Sequence, residues 1–441
     1  MNDAGGERSR LRRAVDALGA KARFEVADQA DLVRFLIRWI ALGTIVGVLA
    51  GLAGAGFLVT LQWATDTREA TPWLLYLLPV AGLLIGLAYH HGAGAAAQGN
   101  NLIIDEIHEP KAWIPRRMAP LIYGGTIATH LFGGSAGREG TAIQMSGSLT
   151  DWFARLLRIR PSERRLLLIA AIAGGFGAVF GVPLAGAVFA LEVQSVGRLR
   201  YDALVPALTA SIVGDQVVRA LGVHHTPTPV IDAVDLTPVL IGKVVLAGVA
   251  FGLCALVFIE LTHGCKRLFA ATVQYPPLRP FLGGLGIIAL TFLVGTRDYL
   301  GLSIPLITDA LAGAATVATF AFALKLLFTS VTLGSGFQGG EVTPLFVVGA
   351  TLGVTLANVL DVPVPLLAAL GFVAVFAGAT NTPIACAVMG VELFGPAAAP
   401  LFALICVVAA VSSGPGGIYT SQRPARWGFR PLAPDDPAAS L

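Results

Sequence analysis

Apolar runs on the scale of a membrane span recur along almost the whole chain, at 40–60, 74–89, 166–191, 239–261, 281–294, 318–333 and 366–393. A helix crossing hydrocarbon needs about 20 mainly apolar residues, or fewer if it is tilted or broken. By that measure the sequence predicts roughly ten to twelve membrane segments, several of them interrupted by Gly or Pro. Inside a bilayer every backbone N–H and C=O must find a partner within the chain, which leaves helices and closed barrels as spanning structures. Barrel strands would alternate over about ten residues, whereas these runs are continuous and rich in Ala, Leu and Gly. The expected fold class is an all-α integral membrane protein. Only 13% of residues are charged, against about 25% in soluble domains.

A repeat organises the spans. "FGVPLAGAVFALE" at 180–192 matches "TNTPIACAVMGVE" at 380–392, with Pro183 facing Pro383, Ala187 facing Ala387, Val188 facing Val388 and Glu192 facing Glu392. Gly-rich stretches precede both copies, "GGSAGREGT" from Gly133 and "GSGFQGGEVTP" from Gly334. Two halves with matching broken segments are the mark of a transporter built from structural repeats, with the substrate where the interrupted helices meet. The sequence alone leaves parallel and inverted halves both open. The expected division is an N-terminal cytoplasmic or interfacial helix over 1–38, a first transmembrane repeat over 39–220, a second over 221–422 and a short tail over 423–441.

Basic residues set the expected orientation. Arg8, Arg10, Arg12, Arg13, Lys21, Arg23, Arg34 and Arg38 precede or begin the first span, and Arg423, Arg426 and Arg430 follow the last. Both ends are therefore expected in the cytoplasm. No signal peptide is expected, because no short apolar core with a cleavage site comes first. No recognition motif accompanies these charges, so no nucleic-acid partner is expected. Cys254, Cys265, Cys386 and Cys406 lack metal-ligand spacing and read as small packing residues.

Three stretches place Gly and small polar residues just ahead of helical runs: "QGNNLIID" at 98–105, "SAGREGTAI" at 135–143 and "SGFQGGEVTP" at 335–344. The free N–H groups and the positive dipole of a helix start favour an anion. Three such starts aimed at one point would bind an anion weakly enough to release it. Glu139 sits at one of them. Its carboxylate would compete with a transported anion when ionised and leave when protonated. The alternative is a structural pair with Arg138; adjacent residues point apart on a helix, which favours the functional role.

"GREGT" at 137–141, "FGVPLAGAVFALE" and "GSGFQGGEVTP" together resemble the CLC family of chloride channels and proton-coupled antiporters, over nearly all of the chain after about residue 40. The resemblance implies a CLC-type fold with two inverted repeats and broken helices, assembled as a homodimer with a pore in each subunit. "GNN" stands where chloride-type members carry GSGIP, Thr141 where they carry Pro, and "GGEVTP" where they carry apolar residues. That set resembles the family's fluoride/proton antiporter branch. The resemblance implies that Glu139 is the gating and proton-carrying residue, and that Asn100, with Asn101 as fallback, replaces the chloride-selective serine. It further implies that Tyr419 closes the site from the cytoplasmic side and that Thr343 lies beside Glu341. Val193 stands where many exchangers hold an inner proton-transfer glutamate, so Glu341 becomes the candidate replacement. Gly137, Arg138, Gly140, Thr141, Gly340 and Val342 complete the expected anion site.

Capping is the structural alternative for the asparagines, and a place in the interfacial aromatic belt is the alternative for Tyr419. Lys325 reads as a structural partner of a carboxylate. Glu192 and Glu392 read as helix caps or vestibule residues. The group Asp105, Glu106, His108 and Glu109 lacks a second cluster and is not expected to hold a metal. No GxxxxGK[ST] or HExxH motif points to an enzyme, and no cofactor is expected. The expected function is proton-coupled fluoride export across the plasma (inner) membrane of a prokaryote, with fluoride, protons and the lipid bilayer as partners. A chloride/proton antiporter or chloride channel of the same fold is the alternative.

Overall fold

The computed structural model describes residues 4–314 and 316–423. Of the expected tail over 423–441, residues 424–441, with Arg426 and Arg430, lie outside the described residues. In chain order the α-helices are α1 (Ala4–Ala70), α2 (Leu78–Gly92), α3 (Asn100–His108), α4 (Met118–Leu131), α5 (Glu139–Leu156), α6 (Pro161–Phe180), α7 (Pro183–Glu192) and α8 (Leu204–Ala220). They continue with α9 (Pro238–Thr272), α10 (Leu278–Val294), α11 (Ile304–Ala312), α12 (Ala321–Ser335), α13 (Val342–Leu360), α14 (Val364–Thr380), α15 (Pro383–Phe394) and α16 (Ala399–Ser413). No strand occurs among the described residues; two isolated bridges do.

Among the described residues there are sixteen α-helices, more than the ten to twelve membrane segments expected, in part because single apolar runs are cut in two. The run at 166–191 divides into α6 and α7. Gly181 closes α6 in the left-handed region at φ 72°, and Pro183, which has no N–H to continue a helix, opens α7. The run at 366–393 divides the same way at Asn381 (φ 55°) and Pro383. Asn serves there because its short polar side chain tolerates the left-handed region. Five stretches are long and apolar enough to cross a membrane by themselves: Asp31–Ala70, Pro72–Gly92, Pro238–Thr272, Val342–Leu360 and Pro396–Ser413. α1 runs from the N-terminal segment into the first span with no Pro to stop it, and the expected division at residue 38 falls inside this one helix.

The halves are inverted repeats in which α1–α8 answer α9–α16. The same neighbours recur in both: α5 on α6 and α13 on α14, α6 on α8 and α14 on α16, α1 on α8 and α9 on α16. Elements at the centre pack on their own counterparts, α7 on α15 and α2 on α10. Reciprocal contacts, in which i meets j and j meets i, are what a two-fold relation produces. The Glu392 carboxylate accepts hydrogen bonds from Leu184 N (2.8 Å) and Ala185 N (2.7 Å) at the start of α7. Glu192 accepts from Ile384 N (3.2 Å) and Ala385 N (2.8 Å) at the start of α15. These are N–H groups that a helix cannot satisfy internally. Phe176 and Phe376, also 200 residues apart, stack across the same axis with ring centres 6.2 Å apart. The core between the halves continues through Phe189, Phe346 and Phe372.

Candidate functional site

The extended segments ahead of α5 and α13 meet as an antiparallel bridge. Gly137 N donates to Gly340 O at 2.6 Å, and Gly340 N donates to Gly137 O at 2.9 Å. Only glycine fits here, since a Cβ on Gly137 would stand 2.9 Å from Gly340 O. The bridge aligns the starts of the two helices, and Glu139 spans them. It is fully buried. Its Oε2 accepts from Arg138 N (3.0 Å) and Thr343 N (3.1 Å), and its Oε1 accepts from the Thr343 hydroxyl. A carboxylate from the first half therefore occupies the anion position at the N-terminus of α13, a helix of the second half.

Arg138 also reaches this carboxylate, with Nε 3.6 Å from Oε1. The expectation that neighbouring side chains diverge holds only within a helix. Arg138 is the residue before α5, at φ −115°, and its side chain turns back. The pair and the backbone bonds coexist. Arg138 Nε has no hydrogen-bond partner.

The start of α3 closes the other side. Gly99, at φ 62°, turns the chain into Asn100. The Asn100 Nδ2 lies 3.0 Å, and Glu341 Oε2 3.9 Å, from where a Cβ on Gly140 would stand. One amide and one carboxylate thus converge on the open face of Gly140, one residue from Glu139. Asn100 Oδ1 and the Tyr419 hydroxyl are buried with no partner among the described residues. Asn101 is committed elsewhere, its Oδ1 accepting from Ser421 N at 3.0 Å, which ties α3 to the loop that carries Tyr419. The Thr343 hydroxyl turns to Glu139. Glu341 forms no ion pair among the described residues. Val342 is buried, and Thr141 bonds Thr126, hydroxyl to hydroxyl, at 2.7 Å, on the far side of α5.

A cavity of about 230 Å³ opens onto Arg138 and Thr343, with Phe180, Phe346, Phe372 and Ile307 in its wall. A second, of about 370 Å³, opens onto Glu192, Asn381 and Arg198.

Sequence reasoning missed one support of the bridge and gave Lys325 the wrong partner. His130, fully buried, places Nε2 3.4 Å from Gly137 O. Lys325 pairs with no carboxylate: its Nζ donates to Tyr299 O (3.2 Å), Gly301 O (2.7 Å) and Ser303 Oγ (2.9 Å). Carbonyls and a hydroxyl replace the expected acid because the 299–303 turn aims its oxygens at α12. The signal for His130 was its position in "HLFGG", directly before the Gly-rich turn. The acids after α3's start are structural as well. Glu106 accepts from Lys111 N (3.1 Å) and Ala112 N (3.0 Å) and pairs with Arg164 at 2.8 Å, which also holds Asp151. The His108 ring meets Gln194 O at 2.8 Å. Glu109 pairs with Lys111 and Arg423, whose charges hold its carboxyl below the ordinary range.

The voltage gated chloride channel family model matches residues 81–414. A chloride/fluoride channel protein of Pseudomonas syringae pv. tomato is 48% identical over 411 residues, 92% of this chain and 90% of the relative. Among solved structures, a CLC-type fluoride/proton antiporter superposes with TM-score 0.85 at 34% identity, covering 88% of this chain and 98% of the other. A slow cyanobacterial Cl⁻/H⁺ antiporter shares the fold at 19% identity, with TM-score 0.74 over 87% of this chain and 96% of the other. The match takes in both Gly-rich turns and both copies of the Pro-to-Glu segment, and this chain belongs to the voltage gated chloride channel family, the CLC proteins.

Proposed function

We propose that this protein is a fluoride/proton antiporter that exports fluoride from a prokaryotic cell and so confers fluoride resistance. The observation that carries the reading is the Glu139 carboxylate lodged on the N–H and hydroxyl of Thr343. That position suits a small anion. An ionised Glu139 fills it, and a protonated Glu139, with less affinity for N–H donors, vacates it for fluoride. Each exchange of occupants would then move one proton against one anion.

Fluoride is small and strongly hydrated, so its site must return strong hydrogen bonds for the water removed. The Asn100 amide on Gly140 supplies donors where a serine would supply one hydroxyl. Glu341, across Gly140 from that amide, is the second coupling group, and Tyr419 bounds the site on the inner side. The relatives named above support fluoride as the substrate. In this reading the protein is a homodimer in the plasma (inner) membrane, both termini are cytoplasmic, and the repeats run over 39–220 and 221–422.

The test is efflux from liposomes holding purified protein, read with fluoride and chloride electrodes together with internal pH. Fluoride is expected to leave faster than chloride, with protons moving the other way, and Glu139→Gln is expected to abolish the proton movement. Equal fluoride and chloride rates would return the protein to the chloride reading, and proton-coupled exchange by Glu139→Gln would remove Glu139 from the mechanism.

A further inference from the structure

The loop before α4, the last turns of α5 and the start of α6 form one basic face. Leaving aside Arg138 and Glu139, residues 110–165 hold eight Lys and Arg against two acids, a difference of six. Both acids are already engaged, Asp151 by Arg164 and Glu163 by Arg38 and Arg160. Arg116, Arg117, Arg155 and Arg158 are exposed and form no ion pair among the described residues.

Their surroundings are those of a membrane interface. The Arg116 guanidinium lies 5.8 Å from the Trp152 ring centre, and that of Arg155 lies 5.9 Å from Trp113. Leu156 and Leu157, 65% and 49% exposed, follow Arg155 directly. Indoles mark headgroup depth, and exposed leucines mark the hydrocarbon beside it. Arg116 and Arg117 stand at the start of α4, and Arg160 at the start of α6. For Arg116, Arg117 and Arg160 these are positive helix ends, where the dipole opposes the cation, while Arg155 and Arg158 flank the C-terminus of α5, whose partial negative charge is no substitute for an acid. An anion from outside the chain supplies the missing partner. A phosphodiester matches the planar guanidinium fork, which binds it bidentately.

We infer that this face holds an anionic phospholipid, its headgroup phosphate between Arg116 and Arg155 and its acyl chains along Leu156 and Leu157. Arg38 of α1 and Arg423 near the C-terminus pair with Glu163 and Glu109 beside this face. It therefore lies at the same membrane surface as Arg38 and Arg423, the leaflet in which anionic lipids attract basic segments. The inference stands apart from the transport reading.

The test is thermal unfolding of the full chain in neutral-detergent micelles doped with phosphatidylglycerol, phosphatidylcholine or millimolar inorganic phosphate. Retained lipid is counted by native mass spectrometry. Phosphatidylglycerol is expected to raise the midpoint and to stay bound, while phosphatidylcholine and inorganic phosphate do neither. Arg116→Gln/Arg155→Gln is expected to lose at least half of that rise and the retained lipid. Arg267→Gln, which changes an exposed arginine already paired with Glu260, is expected to keep both. Should the double variant fail to fold, Arg158→Gln alone is expected to show a smaller loss in the same direction. An equal rise with phosphatidylcholine, or an undiminished rise in the arginine variants, overturns the inference. A full rise with inorganic phosphate alone would overturn the lipid and leave an ion site.

Discussion

Thr343 holds Glu139 through two donors, and only one of them depends on the side chain. A hydrogen bond to a charged group contributes about 1.5–3 kcal/mol, and each 1.4 kcal/mol is about tenfold in an equilibrium. Thr343→Val, which keeps the volume and removes the hydroxyl, is expected to lower proton-coupled fluoride flux in liposomes by about ten- to a hundredfold. Thr343→Ser is expected to restore most of it. Equal losses in both variants would point to packing instead. The two asparagines separate in the same spirit. Asn100→Ser is expected to lower the fluoride-to-chloride ratio with folding intact. Asn101→Ser is expected to loosen the Tyr419 loop and lower the unfolding midpoint, leaving the ratio unchanged, because its oxygen is spent on Ser421. The sequence exposed Glu139 and the asparagines because charge and amide beside glycines in an apolar run are unusual. It could not show that the partner of Glu139 is Thr343, which is 204 residues away, nor that Arg138, lying just outside the helix, folds back onto its neighbour.

Helices α13 and α14 approach most closely at Gly349 and Gly371, where a Cβ on either would collide with the carbonyl oxygen of the other. Backbone cannot swing aside as a long side chain can. Gly349→Ala is therefore expected to cost more than the usual 1–3 kcal/mol of overpacking, seen as loss of monodisperse protein on size exclusion. The reciprocal caps give a second check at this scale. Glu192→Gln and Glu392→Gln each replace a two-oxygen acceptor with one oxygen and one donor, setting an NH₂ against an N–H. Each is expected to destabilise by about 1–3 kcal/mol, and by similar amounts, since the two sites mirror one another. A marked inequality between their unfolding midpoints would assign one of them a further role. The breaks at Gly181 and Asn381 were legible from the prolines that follow. That the N-terminal helix leads into the first span was legible as well; the residue at which the span begins was not, because basic residues are good helix formers and mark no boundary.

At the level of the whole chain, the repeat was legible because Pro and Glu recur 200 residues apart. Its inversion was not legible from the repeat itself, since a sequence carries no direction relative to a membrane; the CLC resemblance implied it, and the reciprocal contacts show the two-fold relation. One of those contacts, the Gly137–Gly340 bridge, also says something about time. The turn bearing Glu139 is synthesised some two hundred residues before the extended segment that closes it and the threonine that holds it. During that interval the carboxylate has no partner from its own half beyond its flanking arginine. The site is therefore a product of docking, and its anion position cannot form before the second half has been made. Cutting the chain between α8 and α9 turns this order into a measurement. Co-expressed halves are expected to associate and regain fluoride efflux, while either half alone binds none. An active first half by itself would mean that the site does not wait for its counterpart.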